Sequence, residues 1–391
     1  MRAVGVISGA IPVSSVLPQR LRAATALACL AFVCSVTPAA AQSSVAWSFS
    51  DDAFSDLWFH GLAVVGYHGF GTAPLYDPEY ALAARRDRAE AGLGATTLER
   101  QRATFLGAFQ GDDAYEVFHF VPLYFAGAGR EAATRVLKEV ASGARGLPET
   151  PGSPTYLGRE VVSGLLREPH QRRILGLFVQ ALEEEWTTVV EPRRAKRAAE
   201  IGTTLARLRG AWVDEWAATL SPFLTREGLA GGAVHVAPGL GIEGRFLERD
   251  PSGRAPVVAV GLATAGADAA APVDGALASL LRELCYPAVR RAFRSFEGRF
   301  EDRVAAARAS DLAATRCGEL LLERYLPAKT AAYRTRFRLP AQGMGSGFLS
   351  ASGGTPGVAA WEGQLEKALL RELNFDSDEV RAAALPVGRN P

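Results

Sequence analysis

Residues 280–289 read LLRELCYPAV, and this decapeptide together with its flanks decides how the chain folds. Leu277, Leu280, Leu281, Leu284 and Ala288 recur at three- and four-residue spacing, the stripe of an amphipathic core helix, which Pro287 would kink or end. Helical periodicity extends from Val273 through about Phe293 and resumes from about Asp302 to Leu326. Upstream, the period changes at Gly231. The segment GAVHVAPGLGIEGRFLERDPSGRAPVVAVGLA holds two β-prone runs, Ala233 to Val236 and Pro256 to Leu262, separated by glycines and the turn-like DPSGR. These predict a hairpin or two neighbouring strands just before the helix.

The amino-terminal half predicts helices. SDDAFSDLWFHGLAVVGY, from Ser50, has a Ser or Asp cap and a period near 3.6, and DPEYALAARRDRAEAG has an Asp cap, a first-turn proline and a closing glycine. DAYEVFHFVPLYF is an apolar, aromatic piece expected in the core. Two longer helices are expected around HQRRILGLFVQALEEEW and RAAEIGTTLARLRGAWVDEWAATL. The fold class is mainly α with a small β-sheet (α+β). The expected parts are a leader over 1–41, a mainly helical region over 42–225, a strand-helix-helix region over 226–340, and a Gly/Ser-rich loop with short helices over 341–391.

The leader is read from QRLRAATALACLAFVCSVTPAAAQ: Arg20 and Arg22, a short apolar run from Ala23 to Val36, then the small residues Ala39 to Ala41 as a cleavage site. The run is shorter than the roughly 20 residues of a bilayer span, so the mature chain is expected to be periplasmic or secreted, without stable membrane insertion. Losing Arg2, Arg20 and Arg22 takes 43 basic side chains to 40 against 42 acidic ones, a net charge of −2. That near-neutrality offers no footprint for nucleic acid. Export also leaves Cys285 and Cys317 as the mature chain's cysteines, either bridged in an oxidising compartment or buried as thiols.

Several motif-like strings carry no chemistry. GLGIEG, Gly239 to Gly244, matches a dinucleotide fingerprint but is followed by RFLERDPSGR rather than a helix with a free amino end. GMGSG does not centre its serine as a nucleophile elbow requires. His60, His68 and His119 stand among aromatic residues, where histidines serve as hydrogen-bonded packing groups; His60 and His68 could alternatively meet at a site. His235 is the histidine that chain order places nearest to Glu283.

Arg282, Glu283, Leu284, Cys285 and Tyr286 fall where an HExxH zinc helix would carry His, Glu, two spacers and His. The β-prone PVVAVGLA precedes this helix, and TRCGELLLERYLP, with Glu319 and Glu323, follows it. Over about 233–326 the order of elements resembles the catalytic part of a gluzincin-like zinc metallopeptidase. The resemblance implies an edge strand over 256–262 aligning a peptide above the Glu283 helix, with Glu319 in the third-ligand place. The ligands themselves are lost: a guanidinium cannot bind zinc and a phenol is a poor substitute for imidazole. The implied protein is an exported pseudoenzyme with no zinc and no other cofactor, whose degenerate site is Arg282, Glu283, Tyr286 and Glu319 and which binds a peptide or protein partner. The alternatives are a helical envelope scaffold without peptidase ancestry, or an active metallopeptidase using His235 with Glu283 or Glu319.

Overall fold

The computed structural model describes residues 46–67, 75–144, 149–248, 255–262, 271–294, 303–337 and 359–375. The expected leader, His68 and the glycine-rich loop over 343–357 lie outside them. The chain is mainly helical around a small mixed sheet, as its periodicities predict.

Strand β1 (Ser48–Ser50) leads into α1 (Ala53–Val65), whose amino end is capped by the Asp52 carboxylate accepting the Ser55 N–H at 2.7 Å. This helix is buried on all sides, and Trp58 stands at its centre. The Trp58 indole donates to the Phe118 carbonyl at 2.7 Å, while Phe54, Phe118 and Phe178 pack around its ring at centroid distances of 5.2 to 5.7 Å. Phe118 belongs to the apolar DAYEVFHFVPLYF segment, which forms a 3-10 turn over Asp113–His119 and is buried as its composition predicts. Around this cluster lie α2 (Pro78–Glu90), α3 (Thr97–Arg100), α4 (Arg102–Gly111), α5 (Val121–Tyr124), α6 (Arg130–Ser142) and α7 (Pro154–Leu165).

The two longer predicted helices join into one rod. Helix α8 (Pro169–Glu185) passes through a π-helical stretch at Trp186–Val190 into α9 (Glu191–Ala211), and a second π stretch at Trp212–Ala217 leads towards α10 (Ser221–Arg226). The physical reason is Pro192, which has no N–H to donate within a continuous helix. Widening the preceding turn lets the rod pass the proline without breaking.

The sheet runs in the order β1, β2 (Ala233–Val236), β4 (Val257–Val260), β3 (Arg245–Leu247). Strands β1, β2 and β4 are mutually parallel, and β3 is antiparallel to β4. Of the two arrangements expected for the runs at 233–236 and 256–262, the structure has the neighbouring strands, which lie parallel. One expectation is corrected: 257–260 is an interior strand, with β3 as its edge neighbour. The reason is that RFL, three residues between glycine-rich and turn-like sequence, carries too short a period to be read as a strand. The sheet also takes strands from both sides of residue 225.

After the sheet come α11 (Ala271–Leu284), α12 (Tyr286–Phe293), α13 (Arg303–Tyr325), α14 (Pro327–Phe337) and α15 (Ala359–Glu372). Val258 and Val260 face a core shared with Trp47, Trp212, Trp216 and these carboxy-terminal helices. Val257 and Ala259 face the Trp58 core, so alternate residues of one strand serve two helical layers. Pro287 falls in the first turn of α12, where its missing N–H costs nothing, and the break it enforces leaves Cys285 between the helices.

Cys285 and Cys317, both fully buried, meet with their sulfurs at bonding distance and Cα atoms 6.0 Å apart. Intact-mass measurement of the oxidised protein is expected to fall short of the dithiol mass by two hydrogens. With the partners 32 positions apart in sequence, reduction should lower the unfolding free energy by about 3–4 kcal/mol in urea titrations.

Candidate functional site

Helix α11 does more than present an apolar stripe. Leu277, Leu280, Leu281 and Leu284 are fully buried, but so are Ser279, Arg282 and Glu283 on its polar side. That side faces the approach to β3. The Gly244 N–H donates to Glu283 Oε1 at 3.3 Å, and a Cβ on Gly244 would stand 2.6 Å from Glu283 Cγ and 2.7 Å from the Ala259 carbonyl. Glycine is therefore required at 244 by the close approach of strand and helix. The glycines of GLGIEG serve packing: Gly239 lies against the α1 backbone at Phe59 and His60.

The centre of the site is the Arg282 guanidinium, 1% exposed. Nη1 donates to Glu283 Oε1 at 2.6 Å, and Nε donates to Thr315 Oγ1 at 3.1 Å. Nη2 stands 3.3 Å from Asp311 Oδ1 and 3.6 Å from Glu243 Oε1. The Tyr286 hydroxyl donates to the same Asp311 oxygen at 2.6 Å, and Arg282 lies over the Tyr286 ring at 5.8 Å. Arg245, the first residue of β3, adds a second guanidinium 3.6 Å from Glu243. Burial would draw the proton off Arg282, but Tyr286, Glu243, Asp311 and Glu283 together hold it firmly charged. Burial raises the Glu283 carboxyl above its ordinary range, against the opposing pull of Arg282 and Arg245.

Of the sequence-predicted residues, Arg282, Glu283 and Tyr286 come together here and Glu319 does not. Glu319 is held by Arg316 at 2.5 Å and by Arg334, in a separate cluster with Glu323 and Glu366. No described hydrogen bond or ion pair joins it to Glu283. The acidic residue that α13 brings to the Arg282 cage is Asp311, two turns earlier. Sequence reasoning missed Asp311, Glu243, Arg245 and Thr315. Glu243 hides in a glycine-rich turn and Asp311 in an alanine-rich helix, neither with a spacing that signals a site.

The histidines occupy other places. His60 lies between the Tyr80 hydroxyl at 3.1 Å and the Glu185 carboxylate at 3.0 Å, in the buried layer against α8. His119 stacks on Tyr67 at 4.5 Å and meets the Tyr76 hydroxyl at 2.8 Å. His235 stands 3.4 Å from Ser55 Oγ and 3.8 Å from Asp52, at the amino end of α1, not with Glu283 or Glu319. Among the described residues no group of three or more His, Cys, Asp or Glu side chains is arranged to hold a metal ion, and none of the described helices is long and apolar enough to cross a membrane. No family model matches this chain, and no curated protein or solved structure matches it either.

Two measurements probe the cage. Arg282→Met removes the cation that Glu283, Glu243 and the partly buried Asp311 share and should cost about 3–5 kcal/mol in urea unfolding. Glu283 holds its proton more tightly folded than unfolded, so its contribution to stability is complete below about pH 4.5 and is lost as pH rises through the higher folded value. Glu283→Gln escapes that loss. Its thermal midpoint should gain on the parent's as pH rises above about 4.5, and a gap that stays flat would show that Glu283 is ionised in the fold.

Proposed function

We propose that this chain is an exported, metallopeptidase-like pseudoenzyme, in which the Arg282 guanidinium stands where a zinc ion would be bound, and that it acts by binding a peptide or protein partner. The observation carrying this reading is the convergence of Arg282, Tyr286 and Asp311. These are the first and second histidine positions of the degenerate HExxH pattern, at the end of α11 and the start of α12, plus an acidic residue from the following long helix, and all three meet beside Glu283. A fixed cation with carboxylates around it reproduces the charge of a metal centre without its chemistry. A guanidinium offers no lone pair and no open coordination position, so it cannot polarise a carbonyl or generate hydroxide as a Lewis acid. Glu283, already accepting from Arg282, is not free to serve as a base toward water.

The place of the substrate-aligning strand falls to β3 rather than to 256–262. It is the outermost, antiparallel strand on its side of the described sheet, and its entry residue Gly244 touches Glu283. An extended peptide can join an edge strand through main-chain hydrogen bonds, with affinity that needs no catalytic group.

The test is metal chemistry. Purified mature protein should contain no stoichiometric zinc and hydrolyse no peptide. The double variant Arg282→His with Tyr286→His should acquire zinc binding, detected by titration, and adding Asp311→Asn should abolish it. One tightly held zinc in the unmodified protein, or a folded double variant with no zinc affinity, overturns the reading.

A further inference from the structure

Helix α14 carries three cations, and two are neutralised. Lys329 pairs with Asp274 at 3.2 Å and Glu215 at 3.4 Å, and Arg334 pairs with Glu319 and Glu323. Arg336 has no such partner: among the described residues no carboxylate lies within ion-pair distance of it, and its one hydrogen bond runs from Nη2 to Ser279 Oγ at 3.1 Å. The Ser279 hydroxyl proton is directed to the Ile242 carbonyl at 2.6 Å, so Ser279 can only accept from the arginine. The Nε atom is buried and unsatisfied. The guanidinium rests against α11 because residue 275 is glycine; a Cβ there would stand 2.5 Å from Nη1. The residue as a whole is partly exposed, so this berth lies at the margin of the core.

A partly desolvated cation without a counter-ion is costly, and native proteins rarely leave one uncompensated. The same chain surrounds Arg282, one turn further along α11, with three carboxylates. Burial draws the Arg336 pKa down to about 10, which still leaves it charged at neutral pH. We infer that Arg336 is a receptor for a single carboxylate group, borne either by a small organic acid or by the free carboxyl end of a peptide. One uncompensated positive charge calls for a monoanion rather than a doubly charged phosphate, and the planar donor fork of a guanidinium matches the two oxygens of a carboxylate. Phe337, which follows Arg336 on α14 and is only partly buried, gives a carboxylate with an apolar body a surface to lie against. The site does not depend on the pseudoenzyme reading. Ser279 and Glu283 are one helical turn apart, so the two sites lie about 6 Å apart along α11.

The experiment is calorimetric titration of the mature chain with hexanoate, with inorganic phosphate, and with two tetrapeptides identical except for a free or amidated carboxyl end. Hexanoate or the free-acid peptide should bind at one saturable site, and Arg336→Gln should weaken that binding at least about tenfold. With no ligand, the variant's thermal midpoint should not fall below the parent's, because an uncompensated charge has been removed. Hexanoate binding without peptide binding assigns a small acid; free-acid over amidated peptide assigns a chain terminus. Should Arg336→Gln fail to fold, Gly275→Ala displaces the guanidinium while keeping the charge, and the same loss is expected. Four results overturn the inference: no saturable carboxylate binding by the unmodified protein, phosphate bound more tightly than hexanoate, equal binding of both peptides, or undiminished binding by the variants.

Discussion

The Arg282 guanidinium ties together elements that share no hydrophobic requirement to meet at that point. Taking such an ion out of water costs several kcal/mol even after relaxation, and the cost is offset only when carboxylates and hydrogen-bond acceptors stand in place around it. Those groups come from α11 itself, from the turn before β3, and from α13. A shift of α13 by one turn would take Asp311 and Thr315 out of their places against the guanidinium. The cage therefore fixes the register of two helices and the edge of the sheet, which apolar packing alone would leave adjustable.

Around this cage the covalent and steric constraints reinforce one another. Pro287 ends α11 and leaves Cys285 at the break, facing Cys317 on α13 one and a half turns beyond Asp311. The sulfur contact and the charge cage thus clamp the same pair of helices at two heights. Gly244 allows the strand close enough for its N–H to reach Glu283, so the absence of one methyl group is a condition of the site. On the opposite layer the long rod of α8 and α9 widens at Trp186–Val190, immediately after Glu185, the residue that holds His60. Burial would raise the Glu185 carboxyl, but hydrogen bonds from His60 and Thr96 hold it below its ordinary range, so it stays ionised within the core.

Arg282 and Arg336 illustrate how differently one helix can treat two arginines. The first is enclosed and neutralised, with its charge directed inward at residues of the same chain. The second rests on a glycine and donates to a serine oxygen, and among the described residues no carboxylate stands within ion-pair distance of it.

The sequence by itself determined the helical periodicities, the position of the sheet between two helical regions, the burial of the aromatic DAYEVFHFVPLYF segment, and the break at Pro287. These are local matters of spacing, backbone donors and side-chain polarity. It also singled out Arg282, Glu283 and Tyr286, by their places in a lapsed HExxH pattern. Tertiary structure alone decided that 257–260 is an interior strand, since three residues at 245–247 carry no readable period yet complete the sheet by pairing with it. It alone decided that Asp311 rather than Glu319 meets the cage, because both lie on α13 and the rotation of that helix against α11 is set by packing and by the carboxylates a buried guanidinium demands. Long-range charge pairing leaves no periodic trace in a chain; it exists only where folded elements meet.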